Sequence, residues 1–206
     1  MKETLIPRKV IYRLSVYHRC LERMNTLAEG SVSSEALARV AGVKPTQLRK
    51  DLAYFGQMGT RGIGYDADAL KHRLSDLLGS AKLHPVVLVG VGNLGAALLG
   101  YHGFAKEGFE IVAAFDEDPS KHGSTEERMP IYPMSMLQRV VGLTDARMAI
   151  LSVPGAAAQE VCNDLIDAGI QAVLNFAPVI LQVPAEVMVN NVNLAIELEN
   201  LSYFIQ

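Results

Sequence analysis

Residues 86–95 constrain the fold more than any other stretch of this chain. Val86-Val87-Leu88-Val89 is a continuous apolar run of strand length. It is followed at once by Gly90-Val91-Gly92-Asn93-Leu94-Gly95, then by a helix-forming stretch through Ala96, Leu98 and Leu99. Strand, tight glycine turn and helix in that order are the context in which a GxGxxG motif cradles a dinucleotide. Gly90 permits the turn, Gly92 lets the backbone approach a pyrophosphate, and Gly95 lets helix pack on strand. The free N–H groups at the helix start suit phosphate oxygens. A second strand, Ile111-Val112-Ala113-Ala114-Phe115, ends in Asp116. A carboxylate there accepts hydrogen bonds from adenosine ribose hydroxyls and repels a 2′-phosphate. No Arg directly follows it, so NAD(H) is favoured over NADP(H). The competing reading is a solvated turn acid in Asp116-Glu117-Asp118-Pro119. The whole succession of strand, glycines, helix, strand and acid argues against it.

The alternation of strands and helices continues. Met148 to Val153 reads as a strand ending at Pro154. Residues 156–168 read as a helix with Val161, Leu165 and Ile166 inward, and Ala172 to Asn175 as a strand leading into Phe176-Ala177-Pro178. In a doubly wound sheet the carboxyl ends of the strands line the ligand crevice. Val153, Pro154, Phe176, Ala177 and Pro178 are therefore candidate walls for the nicotinamide end. The tail from Asn193 to Ile205 spaces Leu194, Leu198, Leu201 and Ile205 as a helix does, with Ala195, Ile196 and Phe204 widening its apolar surface. A helix that apolar must be buried, on its own domain or in another subunit.

The first half differs in charge. Residues 1–84 hold 14 Lys and Arg against 8 Asp and Glu, and residues 85–206 hold 5 against 14. A basic module for a polyanion is joined to an acidic one, although scattered surface charge could produce a similar split. After Pro7, Val10, Leu14, Tyr17, Leu21 and Met24 recur at helical spacing to about Ala28, with Arg13, Arg19 and Arg23 largely off the stripe. Ser33 or Ser34 can cap the next helix. Ala38, Gly42 and Leu48 then stand where a helix-turn-helix needs a small crossing residue, a turn glycine and an apolar anchor. The second helix starts near Pro45 and buries Leu48, Leu52 and Phe55. Lys44, Thr46, Gln47, Arg49 and Lys50 are left facing outward, able to donate to phosphates and base edges. An ordinary helical hairpin with a solvated basic face has the same pattern. The stretch Gly56 to Tyr65 favours nucleic acid, because its glycines suit a β-hairpin wing with Arg61 near the tip, where it can enter an A·T-rich minor groove. Asp68 to Leu78 reads as a short helix, and Ser80 to His84 as a domain boundary.

Composition narrows the class. The chain has 206 residues, half of them hydrophobic and a fifth charged, which gives ample core and excludes wholesale disorder. Residues 85–100 are too short and too interrupted for a membrane span. Glu3, Pro7, Arg8 and Lys9 stand where a signal peptide needs its apolar run, so a cytoplasmic protein is expected. Cys20 and Cys162 read as buried thiols of a reducing compartment, with no metal-ligand spacing around them. A small NAD-dependent oxidoreductase with a fused basic domain is the alternative to a regulator. It is the weaker one: no Tyr has Lys four residues on, no His or Lys follows His122, and His102 stands alone on a glycine-rich helix end.

Several runs together resemble the Rex family of redox-sensing transcriptional repressors: Thr46-Gln47-Leu48-Arg49-Lys50-Asp51-Leu52, Tyr54-Phe55-Gly56, Gly59-Thr60-Arg61-Gly62-Ile63-Gly64-Tyr65, glycines 90, 92 and 95, and Asn175-Phe176-Ala177-Pro178. The likeness runs essentially the whole length. It implies a homodimer with an N-terminal winged helix-turn-helix domain (residues 1–84), a Rossmann-like doubly wound α/β domain (85–188) and a C-terminal helix exchanged between subunits (189–206). It also implies repression from an A·T-rich inverted repeat when NADH is scarce, and release when NADH binds. Arg49, Lys50 and Arg61 would touch DNA, residues 90–95 and Asp116 would hold the dinucleotide, and Arg19 and Tyr101 would belong to an interdomain switch. In that family an Asp often opens the C-terminal helix and joins an ionic contact with the Arg and Tyr. Here the matching residue is Asn193, which accepts a hydrogen bond but carries no charge. Leu194 likewise stands where some members place an aromatic ring.

Overall fold

The computed structural model describes residues 6–24, 30–60, 63–79, 82–124 and 129–205. The chain divides into two compact units, Met1–Lys82 and Leu83–Gln206, each with its own apolar core.

In the first unit, α1 (Arg8–Met24) buries Val10, Leu14, Tyr17, Cys20 and Leu21 along one stripe. β1 (Ser31–Val32) leads into α2 (Ser34–Val40), whose N-cap is Ser33, its hydroxyl accepting the Ala36 N–H at 3.0 Å. The turn runs through Gly42 at φ 67°, and α3 (Pro45–Ala53) follows, burying Leu48 and Leu52. Phe55 lies beyond the helix and is only partly buried, so the inward face is shorter than the spacing suggested. The glycine-rich stretch closes on itself through one bridge, Thr60 to Gly64. Its next two residues, β2 (Tyr65–Asp66), pair antiparallel with β1 rather than within a longer hairpin. Arg61 lies outside the described residues, as does the expected extension of α1 to Ala28. α4 (Ala67–Leu78) is capped by Asp66 and ended by Gly79 in the left-handed region.

The second unit is a seven-stranded sheet. β3 (His84–Val89) is followed by α5 (Asn93–Leu99), α6 (Gly103–Lys106), β4 (Phe109–Phe115), β5 (Gly123–Ser124), β6 (Pro130–Tyr132), α7 (Leu137–Thr144), β7 (Met148–Leu151), α8 (Gly155–Asp167), β8 (Ala172–Asn175), β9 (Met188–Asn191) and α9 (Leu194–Tyr203). The strand order is β5-β6-β4-β3-β7-β8-β9, with every pair parallel except β5 with β6. Residues alternate between faces, as a strand requires. Val87, Val89, Ala113, Phe115, Ala149 and Leu151 pack on one side, and Val86, Leu88, Ala114 and Ile150 on the other. The α8 face is Ala158, Cys162 and Leu165, with Val161 and Ile166 at its margin.

The chain winds outward from β3 in one direction and from β7 in the other. The switch point, where a crevice opens at the strand carboxyl ends, therefore lies between β3 and β7. β9 extends the sheet to Asn191, past the expected end of the domain at residue 188. Its sequence, Met188-Val189-Asn190-Asn191, has no alternating apolar pattern to announce an edge strand. α9 buries no residue within the chain: Leu194, Leu198, Leu201, Phe204 and Ile205 are all more than 60 % exposed. In this structure α9 therefore does not enter the core of its own domain.

Candidate dinucleotide and nucleic-acid sites

The glycine loop sits at the switch point and is built against the strand next door. Gly90 has φ 95°, and a side chain there would press on the Ser152 backbone, 2.6 Å from its carbonyl oxygen. Gly95 is buried in α5, where a Cβ would land on the Gly90 carbonyl oxygen. Gly92 has the opposite environment, with nothing within 4 Å of where its Cβ would be. Packing thus requires glycine at 90 and 95, while at Gly92 the backbone lies open, as close approach of a pyrophosphate needs. Ser152 ties the two strand ends together, its hydroxyl donating to the Gly90 carbonyl at 2.8 Å and its N–H to Val89 O at 2.9 Å. A lone Ser after an apolar run gives no signal of this role in the sequence. Asn93 and Leu94 are exposed on the first turn of α5, and Val91 is half-buried beside them.

Asp116 follows β4 and is 6 % exposed, so it is no solvated turn acid. Its Oδ2 accepts the Val91 N–H at 2.7 Å and the Lys121 ammonium at 3.0 Å, and its Oδ1 accepts the Asp118 N–H at 2.9 Å. Burial opposes ionisation of this carboxyl, but the donors from Asp118, Lys121 and Val91 outweigh it and hold it below the usual carboxylate range. Lys121 gives no signal in the sequence either, since it stands five positions beyond the acid. Only the short 3-10 turn Pro119–Lys121 folds it back.

Of the expected walls, Val153 and Pro154 lie in the loop after β7 and lead into α8. Phe176 is half-buried and Pro178 exposed after β8. Ala177 turns its side chain to the core at 6 % exposure, so what it can offer the crevice is its backbone. Asn175, fully buried, organises this loop. It donates to Val179 O and Asn191 Oδ1, both at 2.9 Å, and accepts the Ala177 N–H at 2.9 Å. The residues present fit a dinucleotide: an open glycine approach, a helix start and a buried ionised acid at one switch point.

Lys44, at the N-cap of α3, and Thr46, Arg49 and Lys50 on the helix are exposed. Arg49 is not loose, because its Nη1 donates to Ser34 Oγ at 2.7 Å and to Glu35 Oε1 at 3.2 Å. Gln47 departs from the outward reading. It is half-buried, and its amide nitrogen donates to Asp51 Oδ1 at 2.7 Å, because Asp51 lies one helical turn further on and needs donors. Asp51 is fully buried and also accepts two bonds from Arg13, at 2.6 and 2.8 Å, and one from the Tyr17 hydroxyl at 2.8 Å. Tyr101, 58 % exposed, meets Phe104 edge-on at 5.0 Å, and Gly103 leaves room for its ring. Asn193 caps α9, its Oδ1 accepting from Ala195 N–H at 3.0 Å and Ile196 N–H at 3.4 Å. Among the described residues no cluster of His, Cys, Asp and Glu could hold a metal ion.

Comparison with known proteins gives both units a kinship. Residues 81–179 match the family "CoA binding domain", and residues 5–53 match "Putative DNA-binding protein N-terminus". The redox-sensing transcriptional repressor Rex of Pelotomaculum thermopropionicum is 46 % identical over 98 % of this chain and 95 % of its own. The crystal structure of RSP with β-NAD+ and operator DNA superposes with a TM-score of 0.92 at 33 % identity, covering 98 % of this chain and 94 % of that one. RSP with β-NADH gives 0.88 at 32 % identity, covering 98 % and 95 %. These relatives are repressors, so the oxidoreductase alternative falls away. With a likeness that spans both units and nearly every residue, the chain belongs to the Rex family of redox-sensing transcriptional repressors.

Proposed function

We propose that this chain represses transcription as a homodimer, holding an A·T-rich inverted repeat when NADH is scarce and releasing it when NADH binds. The observation that carries the reading is the joining, in one chain, of a helix-turn-helix with exposed cations on α3 to a sheet whose glycine loop opens beside a buried, ionised Asp116. In this reading Arg49 and Lys50 meet DNA, with Lys44, Thr46 and Gln47 beside them and Arg61 at the wing. Residues 90–95 hold the pyrophosphate, Asp116 the adenosine ribose, and the loops at Val153–Pro154 and Phe176–Pro178 flank the nicotinamide. NADH supplies binding free energy here and no hydride.

The apolar face of α9, exposed along its length, supports a second copy of the chain as its cover. An inverted repeat needs such a two-fold axis. Arg19, Tyr101 and Asn193 are the residues through which the two units would sense one another. The two buried free thiols suit a reducing cytoplasm, and among the described residues no helix is long and apolar enough to cross a membrane.

NADH can bias the dimer only by its differential affinity for the DNA-binding and released forms, and the coupling is reciprocal. Fluorescence titration of NADH should therefore give weaker binding in the presence of operator DNA, and equal affinity with and without DNA would refute the coupling. Arg49→Ala with Lys50→Ala should weaken operator binding by about 1–3 kcal/mol per base-reading contact. Unaltered operator affinity would show that another surface meets DNA. Truncation before Asn193 should abolish the dimer and inverted-repeat binding together, and a monomer that still binds the full repeat tightly would sink the dimer.

A further inference from the structure

The Asp116 carboxylate is almost fully engaged before any ligand arrives. A carboxylate offers about four acceptor sites. Val91 N–H and the Lys121 ammonium take two on Oδ2, and Asp118 N–H takes one on Oδ1. One site is left. A ribose with free 2′- and 3′-hydroxyls brings two donors, so receiving both at Asp116 requires one existing bond to give way. Two of the three come from backbone N–H groups fixed by the loop. The third comes from a side chain 36 % exposed, whose ammonium can turn to water at small cost.

Lys121 is nonetheless no wandering surface lysine. It ends the turn Pro119–Lys121, which Asp118 caps by accepting the Ser120 N–H at 2.9 Å and the Ser120 hydroxyl at 2.7 Å. On its other side, His122 Nε2 lies 2.8 Å from the Asp116 carbonyl oxygen. The backbone is pinned on both sides and the ammonium is aimed at one acid.

We propose that Lys121 determines how strictly the ribose end excludes a 2′-phosphate: it yields Asp116 to a ribose diol, and gives a 2′-phosphorylated dinucleotide a cation to bind. Discrimination then rests on the Asp116–Lys121 pair and not on Asp116 alone. This rests on reading the glycine loop as the NAD(H) site.

The test is titration of the full-length protein with NADH and NADPH, followed by nucleotide fluorescence, in the native chain, Lys121→Ala, Lys121→Arg, Asp116→Ala and the double variant Asp116→Ala/Lys121→Ala. Lys121→Ala should lower NADPH affinity about tenfold more than NADH affinity, the scale of one hydrogen bond to a charged group, and Lys121→Arg should restore it. Asp116→Ala should gain NADPH affinity relative to NADH, and the double variant should lose that gain, a non-additivity expected of groups in contact. An unchanged NADPH to NADH ratio in Lys121→Ala, with NADH still bound, removes Lys121 and leaves the site reading standing. An Asp116→Ala gain that survives in the double variant, or no NADPH binding to Asp116→Ala, overturns the proposal as well. Failure of the native protein to bind either nucleotide overturns the site reading and Lys121 with it.

Discussion

Asp51 in the N-terminal unit accepts four hydrogen bonds, and Asp116 in the C-terminal unit accepts three. Both are buried, both face a cation, and in both the donors outweigh the burial that opposes charge, so each ionises below the usual carboxylate range. They differ in saturation. Every acceptor site of Asp51 is filled, by Arg13, Tyr17 and Gln47, which lie on α1 and α3. It can only hold those helices in register. Among the described residues Asp116 keeps one site open, and it shares another with a lysine that solvent reaches. A buried acid with nothing left to accept is part of the fold, whereas one with capacity to spare can exchange partners.

The largest expected effect comes from breaking the saturated member. Asp51→Ala leaves the Arg13 guanidinium, only 23 % exposed, and the buried Tyr17 hydroxyl without their acceptor. Removing one partner of such a pair costs about 3–5 kcal/mol. Denaturant unfolding should show that loss, and operator binding should fall with it because α3 loses its anchor, while NADH titration of the C-terminal unit persists. An unchanged unfolding midpoint would mean that apolar packing alone holds α3.

Asp116→Ala should cost less stability and more function. Two of its three donors are the backbone N–H groups of half-buried Val91 and exposed Asp118, and the third is Lys121, which can solvate. The loss of ribose hydrogen bonds should weaken NADH by about 1.5–3 kcal/mol, the range for bonds to a charged group. DNA binding should survive and become insensitive to NADH in a gel-shift titration. Release at the native NADH concentration would show that the dinucleotide sits elsewhere.

Acid should reveal the pair by linkage. Both folded-state pKa values are depressed, so each carboxylate contributes stability that is full above its unfolded-state pKa and lost as pH falls through the folded one. The unfolding free energy of the native protein should therefore fall as pH drops below the ordinary carboxylate range. The slope should flatten in Asp51→Ala and, to a smaller degree, in Asp116→Ala. Parallel pH profiles for native protein and variants would assign acid lability to other groups.

The contrast between the two acids also marks what a sequence can reveal. Residues 86–95 announce strand, turn and helix because apolar runs and glycines act locally, and the structure follows them to within a residue or two. Leu48 and Leu52 on α3 were legible for the same reason. Asp51 stood in plain view one turn after Gln47, but its partners Arg13 and Tyr17 lie more than thirty residues away, and no spacing rule links them. Ser152 and Gly90 meet only because β7 pairs with β3. The short strands β5 and β9 carry too little pattern to stand out and exist because a neighbouring strand offers them an edge. Local chemistry was readable, and contacts made by topology were not.

The smallest effect comes from adding a third carboxylate and asking which of the two it resembles. Asn193 caps α9 with its side-chain oxygen, and Asp caps equally well, so Asn193→Asp should keep the bonds from Ala195 and Ile196. The new charge at the helix N-terminus should add about 0.3–1 kcal/mol to α9 and little to the whole protein. With two acceptor sites used and two open, it would be unsaturated in the manner of Asp116, free to take a cation in one state of the dimer and water in the other. Arg19 is that cation if the switch runs through these residues. An exposed ion pair formed in one state alone is worth about 0.2–1 kcal/mol, so the NADH concentration that releases operator DNA should move by up to about fivefold, with the unfolding midpoint nearly constant. A shift in release without a shift in stability would place position 193 in the coupling between NADH and DNA. An unchanged release concentration would leave Asn193 as a helix cap, closed in function like Asp51.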